Sequence, residues 1–114
     1  MRMWNIKPNC MCNQHLLGEH FEIHKAVGNL RHSGTWANSL TKNGFLEPQN
    51  FLKRHDKLAK EMGRRNMNHR SPLNVKGINL LKGKVDIEKS IKDLLKRCED
   101  CRKIMEKSKN KEKY

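Results

Sequence analysis

The residues best suited to chemistry lie in one stretch near the beginning of the chain, Asn13–Val27, which reads NQHLLGEHFEIHKAV. Its polar and charged side chains include Gln14, His15, Glu19, Glu22 and Lys25. Residues three or four positions apart share one face of a helix, so a helix here would place His15, Glu19 and Glu22 on one side. A helix this close to residue 1 could hold the α-amino group of Met1 beside them. An amine next to a carboxylate suits imine chemistry on a sugar.

The charge of the chain indicates a protein that binds nucleic acid. Its 114 residues are enough for one domain with a modest core, and they include 25 Lys plus Arg against 12 Asp plus Glu, a formal net charge of +13. Such an excess is the electrostatic footprint of nucleic-acid binding, although it could also attract acidic partners or a membrane surface. With 2 Trp, 3 Phe and 1 Tyr, the chain has few aromatic rings to stack on single strands, which favours duplex DNA.

The hydropathy pattern predicts an all-α protein, a single compact domain of three main helices with an extended N-terminal arm and long connecting loops. The arm is assigned to residues 1–12, where Pro8 disfavours helix around Lys7. The domain is assigned to residues 1–108 and a basic polar tail to residues 109–114.

Helices are predicted over residues 13–32, 48–64 and 87–107. Asn13 and Asp86 are suitable N-caps for the first and the third helix. The remaining segments are a loop at 33–47, a turn at 68–72 and an ambiguous stretch at 73–85.

Apolar residues at helical spacing predict the face that each helix would bury. In the first helix they are Leu16, Leu17, Phe21, Ala26, Val27 and Leu30. The face predicted for the second helix consists of Leu52, His55, Leu58, Ala59 and Met62. In the third helix they are Ile87, Ile91, Leu94, Leu95, Cys98, Cys101, Ile104 and Met105. Trp36 and Leu40 are expected to anchor the 33–47 loop in the core.

Several motifs resemble those of one enzyme family. Gln14-His15-Leu16 is followed by Glu19, Glu22 and Val27, and the segment LAKEMGRRNMN at residues 58–68 covers the end of the second predicted helix and the turn after it. This order of residues resembles the pyrimidine-dimer DNA glycosylases of the phage endonuclease V type. The resemblance extends over nearly the whole chain through motifs at Met1–Trp4, His15–His20, Arg54–Met62, Asn68–Leu73 and Arg97–Arg102.

The resemblance implies an all-α enzyme that excises a damaged base, such as a cyclobutane pyrimidine dimer, and then cleaves the abasic site by β-elimination. It implies that Met1 supplies the nucleophilic amine and that Glu22 is the key carboxylate. An α-amino group has a pKa near 7.7–8.0, so part of it is neutral at physiological pH. Bulky Arg2 should protect Met1 from removal.

The expected partner is double-stranded DNA that carries a base lesion, bound by a monomer without any cofactor. The residues expected to contact this DNA are Arg2, Gln14, His15, Lys25, Arg64 and Arg65. Phe21 stands where the phage enzyme has a DNA-contacting arginine, which leaves the preferred lesion open. The alternative is a non-catalytic protein of the same fold that binds double-stranded DNA, for which the charge alone would suffice.

The cysteines and histidines raise the question of a metal. Cys98 and Cys101 have zinc-ligand spacing, and Cys10 and Cys12 could complete a four-cysteine site. Both late cysteines also fall on the apolar stripe, where cysteine packs as a small hydrophobe, so packing is the expected role and no metal is expected. His20 and His24 are four positions apart and could bind a metal, but a dispersed histidine pair is more often structural.

The sequence contains no apolar run near the roughly 20 residues of a membrane span, and its beginning lacks the pattern of a secretory signal. We therefore expect a cytoplasmic protein of a bacterial or phage-infected cell, without membrane association and with reduced cysteines.

Overall fold

The computed structural model describes residues 2–69, 72–78 and 80–107. This part of the chain is helical and contains no strand, which confirms the predicted all-α class. Its α-helices are α1 (Asn13–Arg31), α2 (Thr35–Lys42), α3 (Phe51–Arg64), α4 (Ile87–Arg97) and α5 (Glu99–Lys107). Two 3-10 turns cover Pro8–Cys10 and Pro48–Asn50. None of the described helices has the length and apolar character needed to cross a lipid bilayer.

Some of the sequence-based assignments fall outside the described residues. The predicted nucleophile Met1 is one of them, and the predicted tail at 109–114 is another. Arg70 and Ser71, which belong to the predicted turn at 68–72, are also outside this part of the chain.

The boundaries of the first and second helices are predicted to within a few residues. Cys12 rather than Asn13 is the N-cap of α1, with extended backbone angles of φ −70° and ψ 164°. Pro48 starts a 3-10 turn that leads into α3, so it lies just before the α-helix. The side chain of Asp86 accepts a hydrogen bond from the Lys89 amide at 3.2 Å, which confirms Asp86 as the cap of α4.

The segment predicted as a loop at 33–47 contains a short helix, α2. Gly34, at φ 72°, reverses the chain after α1, and the Ala37 amide donates to Asn29 Oδ1 at 2.9 Å. Ala37 is fully buried and α2 packs against α1, with Trp36 and Leu40 partly buried against the core. A helix this short is marginal by itself, so packing on α1 stabilises what local propensity does not predict.

The buried face of α1 is rotated from the predicted one. Leu17 and Phe21 are 44% and 63% exposed, whereas polar Glu19 and His20 are buried on the same face as Leu16 and Val27. The prediction was wrong because hydrophobic periodicity assigns charged residues to the surface, whereas Glu19 and His20 have partners inside the protein. The same error assigned Leu52 to the buried face of α3. Leu52 is 45% exposed, and its neighbour Phe51 is buried instead.

The N-terminal arm is part of the core. Met3, Ile6 and Met11 are buried, and the Met3 amide donates to the Phe45 carbonyl at 2.8 Å. Arg54 Nη1 in α3 donates to the Ile6 carbonyl at 2.7 Å. The predicted arm is therefore not extended throughout, because Pro8–Cys10 forms a 3-10 turn, and it is held against α3 through the Ile6 carbonyl.

The third predicted helix is two helices. Cys98, with extended angles of φ −129° and ψ 109°, separates α4 from α5. Its Sγ accepts a hydrogen bond from the Cys101 amide at 3.4 Å, in the manner of an N-cap. Ile87, predicted to be buried at the start of this helix, is 45% exposed.

Candidate functional site

A pocket of about 270 Å³ opens between the N-terminal arm, the first half of α1 and the end of α4. The residues that line it are Arg2, Trp4, Gln14, His15, Gly18, Glu19, Glu22 and Arg97. The structure thus brings together Arg2, Gln14, His15 and Glu22, which were selected from the sequence as site residues.

Glu22 is the pocket residue whose carboxylate has a buried oxygen, Oε2, without a hydrogen bond to any described residue. Desolvation by burial raises the pKa of the Glu22 carboxyl, and the charge of nearby Lys25 opposes this effect. A carboxylate that lacks a fixed partner can accept a proton or stabilise a cation that forms beside it.

Glu19, one turn away from Glu22, is already paired. It is 1% exposed, and its two oxygens accept hydrogen bonds from Arg54 Nε at 2.5 Å and Nη2 at 2.9 Å. Glu19 thus forms a buried ion pair with Arg54. Because Arg54 also holds the Ile6 carbonyl, this pair connects α1, α3 and the arm.

Arg2 fastens the arm beside the pocket. It is 7% exposed, and its Nη1 atom lies 2.9 Å from Asp93 Oδ2, while Nη2 donates to Ser90 Oγ at 3.1 Å. The guanidinium stands 4.5 Å from the centre of the Trp4 ring. The Arg2 ion pair lowers the pKa of Asp93 below its usual range. These contacts join the arm to α4.

The other basic residues selected from the sequence lie outside this pocket. Lys25 is exposed, and its ammonium is 5.2 Å from the centre of the Trp36 ring. Arg64 is exposed and pairs with Glu61. Arg65 is mostly buried, with Nε 2.7 Å from Glu61 and Nη2 donating to the Met11 carbonyl at 2.7 Å. Contacts of these residues with DNA stay a prediction.

Three residues of the pocket were not selected from the sequence: Trp4, Gly18 and Arg97. Gly18 did carry a signal, because glycine inside a helix costs about 1 kcal/mol relative to alanine and calls for a reason. A Cβ on Gly18 would meet no heavy atom within 4 Å, so the missing side chain leaves free space at the pocket. Trp4 and Arg97 reach the pocket only through the packing of the arm and α4.

A helical domain with a large positive charge is typical of proteins that bind nucleic acid, and this domain also has, at its pocket, a buried carboxylate oxygen without a hydrogen bond to any described residue. The family model for pyrimidine dimer DNA glycosylase matches residues 1–75, and the chain belongs to this family. The matched segment contains the arm, α1, α2 and α3, and with them all the pocket residues except Arg97. Comparisons with curated proteins and with solved structures found no match.

Proposed function

We propose that the protein is a DNA glycosylase with abasic-site lyase activity, which excises a base of a cyclobutane pyrimidine dimer or a related lesion from duplex DNA. The observation that carries this proposal is the Oε2 atom of Glu22, which is buried at the pocket and makes no hydrogen bond to any described residue. Family membership supports the glycosylase activity, and the lyase step rests on the chemistry of the site.

The nucleophile in this proposal is the α-amino group of Met1. Residue 1 is bonded to Arg2, which lines the pocket that contains Glu22. The neutral amine attacks C1′ of the damaged nucleotide, the bond from C1′ to the base breaks, and the base leaves with a proton. The sugar ring then opens: the C1′–O4′ bond breaks, O4′ takes up a proton, and the nitrogen loses its remaining proton as it forms an imine with C1′. Loss of a 2′ proton sends its electron pair toward the imine system and expels the 3′ phosphate.

Glu22 stabilises the cationic sugar and the protonated imine, and it can move the proton that is taken from C2′. Its raised pKa suits a group that exchanges protons during the reaction. Gln14 and His15 line the same pocket and are proposed to hold the sugar and the neighbouring bases.

The DNA is proposed to lie along the outer face of α1, held by a monomer through contacts with its phosphates. Gln14, Phe21 and Lys25 are all exposed there, and they follow one another on the side of α1 that includes Gly18. Arg64 is a further exposed cation, at the end of α3. Exposed Phe21 offers an apolar surface for a base next to the lesion.

Reductive trapping tests the nucleophile directly. The protein is mixed with borohydride and with duplex DNA that contains either an abasic site or a pyrimidine dimer, and the covalent adduct is mapped by peptide mass spectrometry. We expect the adduct on residue 1, and none with undamaged duplex as the control. An adduct on a lysine would contradict the assignment of Met1. Retention of DNA with neither base release nor an adduct would instead favour the non-catalytic DNA-binding alternative.

A further inference from the structure

Four potential metal ligands that are far apart in the sequence meet beside the pocket. Cys12 and His15 come from the start of α1, and Cys98 and Cys101 come from the start of α5. Their ligand atoms, three sulfurs and one imidazole nitrogen, all lie within 4.8 Å of one another. The family model ends at residue 75, so only the first half of this group lies within the matched segment.

The two halves of the group have the same local geometry. Cys12 is the N-cap of α1 and His15 lies in its first turn, while Cys98 precedes α5 and Cys101 lies in the first turn of that helix. Each pair therefore has two intervening residues and a helix N-terminus behind it. The positive end of a helix stabilises thiolate charge, and this is the form in which cysteine binds metals.

The distances among the ligand atoms fit a tetrahedral zinc ion. With Zn–S of about 2.3 Å and Zn–N of about 2.0–2.1 Å, two sulfurs would be about 3.8 Å apart and a sulfur and a nitrogen about 3.6 Å. Sγ of Cys12 and Sγ of Cys98 are 3.7 Å apart. Nδ1 of His15 is 3.7 Å from Sγ of Cys101 and 3.2 Å from Sγ of Cys12.

Backbone amides support the sulfurs. The Cys12 amide donates to Sγ of Cys101 at 3.2 Å, and the Cys101 amide donates to Sγ of Cys98 at 3.4 Å. Such hydrogen bonds stabilise a thiolate and orient it, as the outer partners of metal ligands do. Thiols that only filled space in the core would not need these donors.

We propose that Cys12, His15, Cys98 and Cys101 bind one structural zinc ion. This donor set is typical of closed structural zinc sites. The ion would tie the start of α1 to the junction of α4 and α5. It would replace the packing role expected from the sequence, and His15 would take the place that the four-cysteine hypothesis gave to Cys10. Because His15 also lines the pocket, the ion would fix one of its walls.

Elemental analysis of protein purified without chelator tests this site, with Cys98→Ser and Cys10→Ser as a matched pair. Cys10 is buried in the same arm as Cys12, but it is not a member of the group, and burial raises the pKa of its thiol. We expect Cys98→Ser to lose one equivalent of zinc and Cys10→Ser to lose none. Zinc content unchanged in Cys98→Ser would overturn the proposal.

A ligand variant that failed to fold would lose zinc for a trivial reason, so the unaltered protein supplies a second measurement. Chelator-treated protein is titrated with Co²⁺ under reducing conditions. We expect an intense thiolate-to-cobalt charge-transfer band that saturates at one equivalent, and displacement of this band by Zn²⁺. The absence of such a band would equally overturn the site.

A separate group of histidines lies on the other side of α1. His20 and His24 of α1 and His55 of α3 have ligand atoms within 4.8 Å of one another. His69, which follows α3, lies next to this group, with Nε2 2.9 Å from Nε2 of His20. Nε2 of His20 is also 3.1 Å from Nε2 of His55.

The geometry of this group suits a metal ion. Nε2 of His20 lies close to Nε2 of both His55 and His69, and a metal ion can accept lone pairs from several imidazole nitrogens at once. Asp56 Oδ1 lies 3.1 Å from Nδ1 of His55, and a carboxylate behind a ligating histidine is the usual support.

We infer that His20, His24, His55 and His69 bind a second divalent transition-metal ion between α1 and the end of α3, with imidazole ligands that suit zinc. His55→Gln should lose one equivalent of zinc and keep the equivalent held by the cysteines, whereas exposed His32→Gln should lose none. Unchanged zinc in His55→Gln would overturn this site.

The unaltered protein again provides an independent measurement of the histidine site. After the cobalt charge-transfer band has saturated, a second equivalent of Co²⁺ should produce strongly shifted proton resonances from imidazole rings. If further cobalt produced no such resonances, the histidine site would be rejected and the cysteine site would stand.

Discussion

Two carboxylates one turn apart on α1 have opposite environments. Glu19 is held by Arg54 in the core, and Glu22 has a buried oxygen without a hydrogen bond to any described residue. Their spacing places both carboxylates on a similar side of the helix, but the residues around them differ, so we expect the two to have different roles. At the scale of single residues, Glu19 belongs to the framework, and Glu22 is the carboxylate that we propose for the chemistry.

Replacing Glu22 by glutamine should separate activity from stability. We expect Glu22→Gln to lower base release by roughly 10²- to 10⁴-fold, since the charge acts in the transition state. DNA affinity should stay similar or become tighter. Because the folded state raises the pKa of Glu22, ionising this group at neutral pH costs stability, so the midpoint of thermal unfolding should not fall. Single-turnover kinetics and a melting curve measure both quantities, and normal turnover would make Glu22 a structural residue.

The matched change at Glu19 should have the reverse outcome. Glu19→Gln leaves the Arg54 guanidinium buried without its charged partner, and breaking such a pair costs about 3–5 kcal/mol. We expect the free energy of unfolding, measured with denaturant, to fall by an amount in this range. A loss of activity without any loss of stability would show that Glu19, and not Glu22, is the catalytic carboxylate.

At the scale of elements, α1 has two roles. Its buried side chains stabilise the core, and another side of the helix forms a wall of the pocket. Gly18 interrupts this helix where a Cβ would meet no heavy atom within 4 Å. Alanine at this position would make the helix more stable, because glycine is the weaker helix former. Gly18 lines the pocket, so we propose that the free space there, and not helix stability, accounts for this glycine.

Alanine at this position should raise stability and lower activity. We expect Gly18→Ala to raise the free energy of unfolding by about 0.5–1 kcal/mol, because glycine is entropically costly in a helix. The added methyl group should lower kcat/KM by about 10- to 100-fold by displacing the substrate. Gly28→Ala, on the same helix and equally free of neighbours, is the control: it should be stabilised and fully active. Equal activity of the two variants would refute the role of Gly18.

For the whole molecule, the formal net charge of +13 dominates encounters with DNA. Cations that neutralise phosphates release condensed counterions, so affinity for duplex DNA should fall steeply with salt. With about four to six phosphate contacts, the log–log slope of the association constant against salt should be about −4 to −5. Fluorescence anisotropy with undamaged duplex measures it. A slope near zero would point to a protein partner instead of DNA.

Much of the protein follows from the sequence because it depends on local properties. The three predicted helical regions contain α1, α3, and α4 with α5, and Asp86 caps α4 as its spacing to Lys89 indicates. The motifs at Met1–Trp4, His15–His20 and Arg54–Met62, together with Glu22, predicted the family, and Gln14, His15 and Glu22 do line one pocket. The net charge follows from the sequence alone.

Only the tertiary structure decided which distant side chains meet. Glu19 finds Arg54 35 positions away, and Cys12 finds Cys98 86 positions away. Each of these partners comes from a different helix or helix start, and their approach depends on how the arm, α3 and the α4–α5 junction pack around α1. Spacing along the chain describes one helix face at a time, so it could suggest the ligand pairs but not the cluster that packing assembles from them.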